Sequence, residues 1–175
     1  DAIDLWVATG DTAMASVVRE TIRINDDDVA AGLAYSRTLA DMDQYYDFEM
    51  YFELELESYT DGGSLPNWFG PFIEIHDGTK GIFLTWRKSS GTRLVGFTNG
   101  LTLSSYAVIA ESFVSEPLKN HKFKIFKSYN DEVWLAVDGV IRAVAQYADF
   151  PSSAEKKVVW GTITEAKCKS FWKNI

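Results

Sequence analysis

The chain predicts an all-β fold, a sandwich or barrel of short antiparallel strands, on three observations. Apolar and polar residues alternate with a period of two from end to end. Clusters of turn formers punctuate that alternation at short intervals, and no long stretch carries the 3.6-residue period of a helix. Phe48–Ser58, FEMYFELELES, is the clearest element. Phe48, Met50, Phe52, Leu54 and Leu56 fall on one face, and Glu49, Tyr51, Glu53, Glu55 and Glu57 on the other. Helical spacing would scatter those glutamates around a cylinder, so the segment reads as a half-buried strand.

The other elements follow in order. Ser16–Ile24 alternates as one strand, with Val18, Ile22 and Ile24 on the face of Glu20. Asn25-Asp26-Asp27-Asp28 reads as a turn, because short polar side chains bond their own backbone, and Val29–Arg37 as the returning strand of a hairpin. The Ala-rich stretch Val29–Ala40 also admits a short helix. Thr60–Ser64 is a loop by composition. Strands then run over Pro71–His76, Gly81–Lys88 and Thr92–Thr98, separated by turns at Asp77-Gly78 and Ser89–Gly91. Asn99-Gly100, a strong two-residue hairpin signal, joins Leu94–Phe97 to Leu101–Ile109. Lys122–Lys127, Glu132–Val137 and Val140–Gln146 follow, with turns at Asn130-Asp131 and Asp138-Gly139. Val158–Ile163 and Ser170–Ile175 close a chain of roughly ten to thirteen strands, without repeat or linker.

At 175 residues the sequence fits one domain, 1–175, large enough to bury a core without staples. Its 11 Phe, 8 Tyr and 6 Trp are more ring surface than such a core requires, so some of it is expected to face a ligand. A net charge of -8 removes the basic footprint that nucleic acid or an anionic membrane surface would need. The densest basic run, Lys119, Lys122, Lys124 and Lys127, reads as the polar face of a strand. No apolar run approaches the ~20 residues of a membrane span. Cys168 is the only cysteine, so no internal disulfide is possible. The chain starts at Asp1 without Met, as a processed or trimmed fragment would, and shows no signal peptide or Asn-x-Ser/Thr sequon.

The stretch HKFKIFKSYNDEVWLAVDGVIRAV, with VVWGTI and KSFWKNI after it, resembles the later strands of concanavalin A-like, laminin-G-like jelly rolls. The Val137-Asp138-Gly139 hairpin and Trp172 on a closing strand carry that similarity. FIEIHDG followed by GIFLTWR is similar to paired strands of the same fold. The resemblance implies a two-sheet antiparallel jelly-roll sandwich in a superfamily rich in sugar binding, adhesion and glycoside hydrolysis, and an extracellular, cell-surface or virion-surface location.

Four sets of residues are candidates for function. Tyr51, Glu53, Glu55, Glu57 and Tyr59 line one strand face at ~6.6 Å spacing. They form a solvated face answered by lysines on neighbouring strands, a binding face, or the carboxyl pair about 5–5.5 Å apart that retaining glycosidases use. Glu53 and Glu57 are the candidates for that pair, and Glu53-Leu54-Glu55-Leu56-Glu57 resembles the E-x-D-x-E strand of laminarinase-like glycosidases, with Glu at the middle position. Ser64–Phe72, SLPNWFGPF, reads as a stiffened loop whose Trp68 and Phe69 either stack on a pyranose or cap the core. Glu74, His76, Arg87 and Trp134 alternate outward on their strands and join the glutamate face if these strands share one sheet. Asp26 and Asp28, with Asp41 and Asp43, offer oxygen ligands, and the resemblance implies calcium in such loops; the spacing is not that of an EF-hand. Zinc, nucleotide and Ser-nucleophile motifs are absent. Three readings follow. One is a carbohydrate-binding or adhesion module recognising a glycan or polysaccharide through the concave sheet and loops. The second is a glycoside hydrolase or polysaccharide lyase on the glutamate strand, and the third a structural virion or surface-fibre protein.

Overall fold

The structure, a computed structural model, describes residues 5–27, 32–39, 47–60, 68–89, 92–100, 108–113, 119–162 and 167–175. These carry the strands β1 (Val7–Gly10), β2 (Ala15–Val18), β3 (Thr21–Asp26), β4 (Leu33–Thr38), β5 (Phe48–Thr60), β6 (Trp68–Asp77) and β7 (Gly81–Ser89). They continue with β8 (Thr92–Thr98), β9 (Val108–Phe113), β10 (His121–Lys127), β11 (Glu132–Val137), β12 (Val140–Gln146), β13 (Lys156–Thr162) and β14 (Lys167–Lys173). All pairings are antiparallel. One seven-stranded sheet has the order β1-β4-β13-β6-β7-β8-β9, and the other β12-β11-β10-β5-β14-β3-β2. We call them the first and second sheets. Among the described residues no helix is long and apolar enough to cross a membrane.

The period-2 pattern explains why the sheets stack. Phe52, Leu54 and Leu56 of β5 are at most 2% exposed, while Tyr51 on the opposite face is 55% exposed. An aromatic seam joins the layers. Trp160 of the first sheet stacks on Tyr35 at 4.7 Å and packs against Trp172 of the second at 4.9 Å. Trp86 meets Phe52, Phe123 and Trp172 edge-on. Buried indole nitrogens need partners, and Trp172 Nε1 donates to Ser170 Oγ at 3.0 Å. Much of the aromatic surplus is therefore core.

Several sequence expectations are corrected. Ser16–Ile24 is a hairpin, not one strand. Arg19 and Glu20 both adopt positive φ, 49° and 63°, the turn that matches strand twist in a two-residue hairpin. The turn pairs Val18 with Thr21 and so reverses parity, which puts Val17, not Val18, on the face of Ile22. Asp26 ends β3 instead of opening a turn, and is 2% exposed. β4 does not return beside β3; it pairs with β1 and β13 in the other sheet. Asn99-Gly100 closes no two-residue hairpin, because β9 pairs with β8 with Val108 opposite Thr98. Trp68–Phe72, read as loop, lies in β6. The Asp138-Gly139 turn forms as expected, with φ of 52° and 78°; Asp138 also accepts from the Lys122 N–H at 2.9 Å and pairs with His121 Nδ1 at 2.6 Å.

Candidate functional site

The two outward faces of the sandwich differ in kind. On the second sheet the β5 glutamates meet cations from both flanking strands. Glu49 binds Lys124 at 2.7 Å and accepts from the Tyr51 hydroxyl at 2.7 Å. Glu53 lies between Lys122 and Lys173 in the ladders, and its two oxygens accept from Asn120 at 3.0 Å and Asn174 at 3.2 Å. Those amide donors, Asn120 first, hold the Glu53 carboxyl below the usual range. Glu57 pairs with Arg23 at 3.4 Å. Glu55 stands opposite Phe171, over which Arg23 sits at 5.4 Å. Arg23, Glu53, Glu55, Phe171 and the β2–β3 hairpin border an open groove of about 590 Å³. Trp134 stacks on Phe126 at 5.9 Å, with Lys124 over Phe126 and Tyr51. A bulge near Glu57 shifts the register so that Tyr59 pairs with Cys168, out of step with Glu53 and Glu55; its side chain lies outside the described residues.

On β6, β7 and β8 of the first sheet several outward positions are withdrawn from solvent. Phe72, Thr85 and Thr98 alternate away from Ile73, Leu84 and Phe97, yet are 5%, 1% and 1% exposed. Glu74 stands between Val159 and Phe83, and His76 between Lys157 and Gly81. Glu74 Oε2 and His76 Nε2 are 3.1 Å apart, and the His76 ring meets Phe83 edge-on at 5.6 Å. His76 Nδ1 is buried with no hydrogen-bond partner. The ring lies directly over Gly81, where a Cβ would come within 2.5 Å of Nδ1. On the neighbouring strand β7, Arg87 Nε and Nη2 each donate at 2.7 Å to an oxygen of Glu111, two strands further on in β9. Gly96 allows that approach, since a Cβ there would sit 2.5 Å from Glu111 Cβ. The Glu74–His76 contact and the Arg87–Glu111 ion pair thus fix polar groups on rigid strands, beside the ring of Phe83.

The sequence candidates thus divide. Tyr51, Glu53, Glu55, Glu57 and Trp134 lie on the second sheet, and Glu74, His76 and Arg87 on the first. The expected common cluster is split because β5 and β6, consecutive in sequence, belong to different sheets. Trp68 pairs with Arg87 through its backbone; its side chain lies outside the described residues. Sequence reasoning missed Glu111, Phe83, Thr85 and Gly96. A glutamate inside the apolar run VIAESF was the available signal for Glu111. Asp26 sits in register with Cys168, whose thiol burial pushes up in pKa. Asp28, Asp41 and Asp43 lie outside the described residues. Among the described residues no group of three His, Cys, Asp or Glu side chains is placed to hold a metal.

No protein-family model and no curated protein sequence matches the chain. Solved structures do. A carbohydrate esterase from Shiga toxin-encoding bacteriophage phi24B is 10% identical with a TM-score of 0.71, over 98% of this chain and 88% of that one. The carbohydrate-binding module CBM66 from Bacillus subtilis is 13% identical with a TM-score of 0.59, over 97% and 92%. The binding domain of botulinum neurotoxin DC, in complex with SialylT, is 10% identical with a TM-score of 0.61, over 96% of this chain and 42% of that one. The fold is a jelly-roll sandwich. At these identities the likeness is one of fold, and function rests on the site.

Proposed function

We propose that the protein is a carbohydrate-binding module that holds a glycan against the outward face of the first sheet. The observation that carries this reading is the Glu74–His76 and Arg87–Glu111 pairs, both held partly exposed on a sheet face turned away from the core. Fixed carboxylates and a ring nitrogen suit the hydroxyls of a sugar, and the half-buried Phe83 offers apolar surface to its C–H face. The glycan-binding folds among the structural neighbours support the same class. A binding module of this kind belongs outside the cell or on its surface, and that location is part of the proposal. A hydrolytic reading on β5 has less support. A general acid needs a raised pKa, whereas Glu53 has a lowered one with both oxygens already hydrogen-bonded.

Retention on a panel of immobilised neutral and acidic glycans, with calcium and with EDTA, tests the proposal. His76→Ala abolishes retention and Tyr51→Ala, on the opposite sheet, does not. Retention that survives His76→Ala but fails with Tyr51→Ala would move the site to the second sheet. Polysaccharide cleavage lost on Glu53→Gln would replace the module with an enzyme.

A further inference from the structure

At one end of the sandwich the two sheets part around a cavity of about 500 Å³. Its walls continue the core alternation. Ile75 and Val158 come from the first sheet and Phe48 and Met50 from the second, with Trp6 and Ile175 closing the sides. Phe48 and Met50 share the inward face of β5 with the buried Phe52, yet both remain half-exposed. The core therefore runs out here into open apolar surface.

One residue in this wall breaks the pattern. Arg37 pairs with Val158 across β4 and β13, as Tyr35 pairs with Trp160. It thus occupies the inward series of Leu33 and Tyr35, which are 1% and 5% exposed. Arg37 is itself exposed, so its guanidinium reaches water at the mouth of the cavity, and it forms no ion pair with a described residue. The carboxylate on the rim, Glu49, is already held by Lys124 and Tyr51 at 2.7 Å each. The wall therefore offers an apolar body with one solvent-reaching guanidinium at its mouth, in a volume typical of small-molecule sites.

We propose that this cavity binds an amphipathic anion, an acyl-chain carboxylate whose tail lies along Phe48, Met50 and Ile75 and whose head is taken by Arg37. The planar guanidinium fits a carboxylate through two parallel N–H donors. Met50, flexible and polarizable, adapts to chains of different shape. The site is separate from the glycan face and does not depend on it.

Titration calorimetry with sodium decanoate, below its micelle concentration, tests this, with decanol as the ligand that lacks the charged head. Wild-type protein binds decanoate at one site. Arg37→Gln weakens decanoate about 10-fold or more and leaves decanol unchanged. Met50→Trp fills the cavity and abolishes binding of both, with folding checked by circular dichroism and glycan retention unchanged. Absence of saturable heat with decanoate overturns the proposal. So does unchanged affinity in Arg37→Gln, which would mean that Arg37 only carries its stem along apolar surface with its head in water. Binding that persists in Met50→Trp would place the ligand elsewhere and overturn it equally.

Discussion

The Arg87–Glu111 pair allows stability and recognition to be separated. Two 2.7 Å bonds join the side chains, which are 14% and 24% exposed. Removing one partner strands the other charge in a poorly hydrated place. Breaking a fully buried pair costs ~3–5 kcal/mol; the residual exposure screens this pair, so Arg87→Met and Glu111→Leu should each cost about 2–3 kcal/mol. For a chain of this size, ~2–4 °C of Tm per kcal/mol gives a fall of roughly 4–12 °C. The double variant Arg87→Met/Glu111→Leu removes both charges of the pair together and refills the space with apolar groups. It should recover most of the loss, with a coupling of about 1.5–3 kcal/mol. Scanning calorimetry on the four proteins reads this cycle, and a glycan column reads function. All three variants should lose retention, the stable double variant included. Additive losses, with coupling under ~0.5 kcal/mol, would refute the claim that the pair is desolvated and acts as a unit.

Three further outcomes are expected. Gly81→Ala places a Cβ 2.5 Å from His76 Nδ1, so the ring must swing off Glu74; glycan affinity should fall at least ~10-fold, the worth of one charge-assisted hydrogen bond, while far-ultraviolet dichroism is unchanged. Affinity equal to wild type would show that the orientation of His76 is irrelevant. Acid should destabilise the second sheet. Lys124 and Tyr51 hold Glu49 below its ordinary pKa, and Asn120 does the same for Glu53. A depressed folded pKa contributes stability above the unfolded value of ~4.3 and loses it as pH falls through the folded one. Tm should therefore drop below about pH 4.3, and less steeply in Glu49→Gln/Glu53→Gln; identical profiles would count against these contacts. Finally, Cys168 is 1% exposed and its thiol pKa is raised, so a thiol reagent at neutral pH should label it only at the rate of unfolding. Rapid labelling of the native protein would contradict that burial.

The sequence by itself determined what depends on local alternation and turn chemistry. As far as the bulge at Glu57 the inward and outward faces of β5 are those the period of two implies, because a strand sends successive side chains to opposite sides whatever it pairs with. The Asp138-Gly139 turn is equally local, since positive φ at both positions is cheapest for such residues. Even the lysines that answer the β5 glutamates were expected from like-charge repulsion along one face. Tertiary structure decided which faces meet. Val29–Arg37 reads as the partner of the preceding strand, yet it crosses to the other sheet, and no periodicity within either segment encodes that choice. The same crossing between β5 and β6 separates Tyr51 and Glu53 from Glu74, His76 and Arg87. Glu111 reaches Arg87 only because β7, β8 and β9 align with Gly96 between them. Arg37 becomes notable only once its partner Val158 places it on an inward register. Alternation gives each residue a side; only strand pairing across the sandwich says what lies on it.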